Sequence, residues 1–193
     1  MAVEPKIGVL ALQGDFEAHR KALARAGAEA VEVRTKEQLE NVDGLIIPGG
    51  ESTAMLKLLN IENLMQPLRD FGHHKPIFGT CAGAILLARN VSNPEQESLD
   101  LMDIGVQRNG YGRQLDSRIV QLKLDSEAGG EIEAVFIRAP IIRRVGEGAR
   151  ILAHYGEDPV LVEEGRHLVA TFHPELTKDA RVHELFLDKV RKS

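Results

Sequence analysis

Short apolar runs that alternate with helical periodicity constrain this chain more than any other feature. Ile7 to Leu12 is almost unbroken in its apolar character and closes on Gln13 and Gly14, as expected of a parallel strand buried on both faces. Asp15 then stands where a helix cap belongs, and Phe16, His19, Leu23 and Ala26 recur at helical spacing until Gly27 supplies a left-handed stop. The pattern repeats. Ala30 to Val33 reads as a second strand, and Thr35 with Gln38 as a capping box. Leu45 to Ile47 is a third strand, interrupted by Pro48-Gly49-Gly50, after which Ser52 can cap a helix carrying Met55, Leu56 and Leu59. A helix near Leu64 to Phe71, a short strand from Pro76 to Phe78 and a helix from Ala82 to Ala88 follow. Such alternation predicts right-handed crossovers. The expected class is α/β, a mostly parallel, doubly wound sheet with helices on both faces.

Beyond Ala88 the character changes. Asn90 to Asp100 is polar with a proline and reads as a surface loop. Between Leu101 and Val162, short runs such as Ile119 to Leu124, Val135 to Ile137 and Arg150 to His154 predict an antiparallel edge extension built from hairpins. Leu168 to Phe172 is a last buried strand, and Val182, Leu185, Phe186, Lys189 and Val190 mark a closing amphipathic helix. With 193 residues and no linker or repeat, one domain over 1–193 is expected, large enough to hold a core without a disulfide.

Composition narrows the function. The 24 basic and 29 acidic residues give a net charge of −5 with no basic cluster, which argues against nucleic acid as a partner. No apolar run approaches the ~18 residues of a membrane span. A single cysteine and a first segment without the order of a signal peptide predict a cytoplasmic protein. No cofactor and no metal are expected.

That cysteine, Cys81, sits in Gly79-Thr80-Cys81-Ala82-Gly83, between a predicted strand and a predicted helix. G-x-C-x-G is a nucleophile elbow with sulfur in place of the serine oxygen, and the helix behind it favours a thiolate. A thiolate needs a base that also protonates the leaving amine, and a group that orients the base. Of seven histidines, His173 alone follows directly on a buried strand, in Phe172-His173-Pro174-Glu175. Glu175, two residues on in an extended segment, points to the same side and can hold the imidazole. At the end of the third strand, Pro48-Gly49-Gly50-Glu51-Ser52 lacks the spacing of a phosphate loop. It suits an oxyanion hole made by the N–H groups of Gly50 and Ala82.

P-G-G, G-x-C-x-G and H-P-E in this order resemble the class I glutamine amidotransferases. Val9 to Gly14, Pro48 to Thr53, Phe78 to Gly83, Gly112-Arg113-Gln114, Val135 to Pro140 and Phe172 to Leu176 together look like the family of glutaminase subunits of pyridoxal 5′-phosphate synthase. The likeness covers nearly the whole chain, and Gly110 departs from the Ser or Ala usual in that family. What it implies is hydrolysis of L-glutamine to glutamate and ammonia. The ammonia passes to a synthase subunit that builds pyridoxal 5′-phosphate from ribose 5-phosphate and glyceraldehyde 3-phosphate. By the same resemblance Gly50, Glu51, Ser52, Arg108, Ile137 and Arg138 bind the glutamine, Arg108 offering a planar cation to its α-carboxylate. Gln13, closing the first strand, is the candidate for sensing the synthase subunit.

Two other readings compete. One is a different cysteine hydrolase on the same kind of sheet, such as a peptidase. The other is a binding module that kept the fold and lost the chemistry.

Overall fold

The computed structural model describes residues 3–109, 117–125 and 129–193. Its largest sheet holds β1 (Lys6–Leu10), β2 (Glu29–Val33), β3 (Gly44–Ile47), β4 (Ile77–Thr80), β10 (Arg150–Tyr155), β11 (Asp158–Glu164) and β12 (His167–Ala170). The spatial order is β10-β11-β12-β4-β3-β1-β2. Five strands from β12 to β2 run parallel, and β11 and β10 extend the β12 edge antiparallel.

The apolar runs are unbroken because both faces of the parallel strands are covered. Ile46, Phe78, Leu168 and Ala170 turn to one core; Leu45, Ile47, Ile77 and Val169 turn to the other. On the first face lie α1 (Phe16–Arg25), α6 (Arg181–Arg191) and the hairpin of β7 (Arg118–Lys123) and β8 (Glu131–Phe136). The second face carries α2 (Lys36–Glu40), α3 (Ser52–Ile61), α4 (Met65–His74) and α5 (Ala82–Leu87). Ile46 and Phe78 are fully buried, each a contribution of about 1.5–3 kcal/mol relative to exposure.

Local sequence signals hold at some element ends and fail at others. Asp15 does cap α1, its carboxylate accepting from Ala18 N–H at 3.1 Å, and Gly27 has φ +84°. Only half of the capping box forms: Thr35 Oγ1 accepts from Gln38 N–H, while Gln38 Oε1 reaches past Thr35 to Arg34 N–H at 2.7 Å. The segment expected to be a loop from Asn90 begins instead as β5 (Ala88–Ser92), paired parallel with β6 (Met102–Gln107), which pairs antiparallel with β9 (Ile141–Val145). Its two buried residues, Ala88 and Val91, are too few to announce a strand, and pairing with β6 supplies the rest. Gly110 and Gly112-Arg113-Gln114 lie outside the described residues.

The topology puts four loops together. Strands β12, β4, β3 and β1 are consecutive neighbours, and from their carboxyl ends issue the segments bearing His173, Cys81, Gly50 and Gln13. The order of connection reverses between β1 and β3, where α/β sheets open a crevice for ligands.

Candidate active site

Cys81 is placed by backbone strain. The chain leaves β4 and enters α5 without a linker, and Cys81 takes φ +49° and ψ −104°, outside the regions that L-residues favour. Its N–H is satisfied by the Ala170 carbonyl of β12 at 2.8 Å. The flanking glycines are demanded by contact. A Cβ at Gly79 would lie 2.5 Å from the Gly83 carbonyl, and one at Gly83 would lie 2.1 Å from the Ile47 carbonyl oxygen. The G-x-C-x-G pattern is thus the local cost of turning a strand straight into a helix beneath a buried sulfur.

His173 follows β12 and is anchored by its own backbone, its N–H donating to Val135 of β8 at 2.8 Å. Its Nδ1 contacts Glu175 Oε1 at 2.7 Å, and Glu175, on a single 3-10 turn (Pro174–Leu176), is only 5% exposed. With Nδ1–H donating to the carboxylate, Nε2 is the ring atom free to serve the sulfur. Burial by itself would lower the His173 pKa. The interactions with Cys81 and Glu175, as hydrogen bonds and as negative charges, outweigh burial and hold it up at about 10. His173 is therefore an imidazolium at neutral pH, with the sulfur of Cys81 and the carboxylate of Glu175 as its partners. The structure brings together the three residues that the motifs singled out.

The third-strand loop closes over this pair. A Cβ on Gly49 would sit 2.6 Å from His173 Cε1 and 3.3 Å from Cys81 Cβ, so the Gly49 backbone touches both. Gly50 has φ +147°, and Gln13 Oε1 accepts from the next N–H, that of Glu51, at 3.1 Å. The Gly49 carbonyl faces Gly14, and because a trans peptide opposes its C=O and N–H, the Gly50 N–H points away from Gly14. Ala82 begins α5 beside the sulfur.

The remaining site residues fall into two groups. The Ile137 carbonyl oxygen lies 4.0 Å from Cys81 Sγ, and Arg138 beside it is exposed with φ +45°. Arg108 instead packs against the start of α3, donating to Thr53 Oγ1 at 2.6 Å and standing 3.6 Å from Glu51 Oε1. The expectation that Ser52 caps α3 is corrected here. Glu51 is the cap, its carboxylate accepting from the N–H groups of Thr53 and Ala54 at 3.0 and 2.6 Å, while buried Ser52 donates to Gln96 Oε1. Slight burial opposes ionisation of Glu51, and these N–H donors with Arg108 prevail, keeping its pKa below the usual value.

Two residues that the motifs did not reveal reach the site from behind. His19 of α1 and His183 of α6, both fully buried, contact each other at 3.0 Å, and His19 Nε2 stands 3.2 Å from Thr80 Oγ1 and 3.5 Å from Glu175 Oε2. The one available signal was a histidine on the apolar face of a helix, between Phe16 and Leu23.

A buried free cysteine, a histidine that can carry a proton and backbone N–H groups nearby suit acyl transfer from an amide or ester. Comparison with known proteins narrows this. Residues 9–192 match the model of the SNO glutamine amidotransferase family. The chain is 63% identical over 190 residues to the pyridoxal 5′-phosphate synthase subunit PdxT of Solibacter usitatus, covering 96% of this chain and 99% of that protein. It is 57% identical over 186 residues to PdxT of Koribacter versatilis, covering 96% of each. A crystal structure of a glutamine amidotransferase superposes with a TM-score of 0.90 at 47% identity, covering 96% of this chain and 98% of that one. A putative GMP synthase protein from Thermoplasma acidophilum shares the fold at 16% identity and a TM-score of 0.73, covering 100% of this chain and 96% of that one.

Proposed function

The chain belongs to the SNO glutamine amidotransferase family, and from that premise we propose that Cys81, His173 and Glu175 are its catalytic triad. The protein is a glutaminase: it hydrolyses L-glutamine to glutamate and supplies ammonia for pyridoxal 5′-phosphate synthesis. The thiolate of Cys81 attacks the side-chain amide carbon, and the carbonyl oxygen takes the negative charge. Gly50 and Ala82 N–H groups stabilise that oxyanion. His173 Nε2–H gives its proton to the amide nitrogen, the C–N bond breaks, ammonia leaves and a glutamyl thioester remains. His173 then removes a proton from water, whose oxygen attacks the thioester, and glutamate leaves as the thiolate re-forms. Glu175 accepts from Nδ1–H throughout and stabilises the imidazolium without taking its proton.

Glutamine is held by the backbone of Gly50, by Ser52 and Ile137, and by Arg108 and Arg138 as partners for the α-carboxylate. Glu51 acts differently from a free anion: its carboxylate is spent on the α3 N-terminus and orders the loop that carries Gly50. The observation that carries the reading is the buried 2.7 Å His173–Glu175 contact beside a strained nucleophile. Treatment with a glutamine-analogue electrophile followed by mass spectrometry should give one adduct, on Cys81, absent in Cys81→Ala. A modification that persists in that variant contradicts the assignment.

The protein works with a synthase subunit, as the PdxT relatives are subunits of pyridoxal 5′-phosphate synthase. We extend the proposal to control by that hetero-oligomeric contact: ammonia released without an acceptor protonates in bulk water and ceases to be a nucleophile. The Gly49–Gly50 peptide is the switch, and Gln13, bonded to the following N–H, transmits docking to it. Among the described residues no helix is long and apolar enough to cross a membrane, and a cytoplasmic setting suits a lone reduced cysteine.

A further inference from the structure

Glu175 presents one oxygen to His173 and buries the other. Oε2 has less than 1 Å² of exposed surface and makes no hydrogen bond within the usual limits, and a buried carboxylate oxygen without a donor is costly. His19 Nε2 stands 3.5 Å from it, with Thr80 Oγ1 on the same nitrogen at 3.2 Å. On the far side of the ring, His19 Nδ1 is 3.0 Å from His183 Nε2. His183 Nδ1, also buried, has no partner.

These contacts select one arrangement of protons. Burial, first, and the neighbouring His183 and His173 keep His19 neutral, and burial does the same for His183, so each ring carries one N–H. If His19 donated through Nδ1 to His183, its bare Nε2 would face the bare Glu175 Oε2. His183 would then bury an N–H with no acceptor. If His183 donates through Nε2, His19 carries its proton on Nε2, aimed between Glu175 Oε2 and Thr80 Oγ1. Only the His183 Nδ1 lone pair is then left over, and an unsatisfied acceptor is the lesser cost.

Resting on the triad reading above, we propose that His19 is a positioning residue of the catalytic centre: its Nε2–H, fixed by His183, restrains Glu175 Oε2 and so keeps Oε1 on His173. A carboxylate bonded through one oxygen can swing about its last side-chain bond; a second donor on the other oxygen removes that freedom. Thr80 couples the same nitrogen to the residue that precedes Cys81, so nucleophile and orienting acid share one buried neighbour. The relay joins α1 and α6, elements 164 residues apart at the two histidines, to the site.

The test compares His19→Phe, which keeps a ring and loses both nitrogens, with His19→Gln, whose amide nitrogen can stand near the Nε2 position. Glutamine hydrolysis is measured with the synthase subunit present. His19→Phe should lower kcat roughly tenfold or more at unchanged KM, and His19→Gln should recover most of it. A side chain needed only for packing would shift the unfolding midpoint and leave kcat alone. In parallel, ¹⁵N-histidine NMR of the unmodified chain should show His19 as the Nε2–H tautomer, a readout that stands even where His19→Phe does not fold. A His19→Phe kcat within twofold of wild type, a loss that Gln does not recover, or an Nδ1–H tautomer would overturn the proposal. Glu175→Gln, assayed alongside, separates the two readings: if it is inactive while His19→Phe is not, the triad stands and the relay falls.

Discussion

Glu175 Oε1 accepts a 2.7 Å hydrogen bond from His173 Nδ1, two residues away, with the Glu175 side chain 1% exposed. A short charge-assisted bond in a dry site fixes both the ring and its tautomer.

Glu175→Gln keeps the shape of the side chain and removes its charge. The rate of ammonia release should fall by roughly 10²-fold or more, with KM for glutamine little changed and the fold retained. Steady-state kinetics with the synthase subunit checks this, and wild-type activity would reduce the carboxylate to a packing role.

Stability should be highest near pH 6.5, with two limbs of opposite sign. Burial lowers the pKa values of His167 and His183 to about 4 from 6.5, so the unfolded chain binds more protons between those values and stability falls as pH drops through that window. His173, raised to about 10, binds its proton more tightly in the folded chain. Its contribution is complete below pH 6.5 and is lost as pH rises towards 10. At about 1.4 kcal/mol per pH unit, this is of order 3 kcal/mol for each of the two histidines on the acid limb and of order 5 kcal/mol for His173 on the alkaline limb. Urea midpoints across pH 4–10 test this, and His173→Gln should flatten the alkaline limb only.

Strain at Cys81 should invert a familiar ranking. Glycine normally destabilises relative to alanine, but at φ +49° and ψ −104° the Cβ is the liability. Cys81→Gly should therefore be more stable than Cys81→Ala by about 1 kcal/mol, read from denaturant unfolding of both. The reverse order would mean that the elbow is relaxed.

Much of this site was legible in the sequence, because its main parts are local. The elbow shows as two glycines around Cys81 at a strand-to-helix junction, and His173 and Glu175 lie two residues apart after a buried strand. That these segments lie at the carboxyl ends of strands followed from the α/β alternation, whereas the neighbourhood of β12, β4, β3 and β1 came only from the sheet order. Contacts made only by tertiary packing were not legible. His19 and His183 are ordinary helix residues until α1 and α6 meet beneath the sheet. Ser52 matched the preference for a helix cap, yet Glu51 took the position because its longer carboxylate reaches two N–H groups at once.

Gly14→Ala should disturb the oxyanion loop without touching the triad. Gly14 has φ +91°, and a Cβ there would stand 1.8 Å from the Gly49 carbonyl oxygen. The Gly49–Gly50 peptide must turn or shift to admit it. Displacing one oxyanion donor costs roughly 10²- to 10³-fold, so kcat should fall by that order while Cys81 still reacts with an alkylating agent. Full activity would place the Gly50 N–H outside the oxyanion hole.

The triad assignment meets its most direct test in an acid-quenched turnover of glutamine in the presence of the synthase subunit, followed by peptide mass spectrometry. A glutamyl thioester on Cys81, absent in Cys81→Ala together with ammonia release, is the predicted result. Undiminished ammonia release by Cys81→Ala, or a glutamyl adduct on another residue, would contradict it.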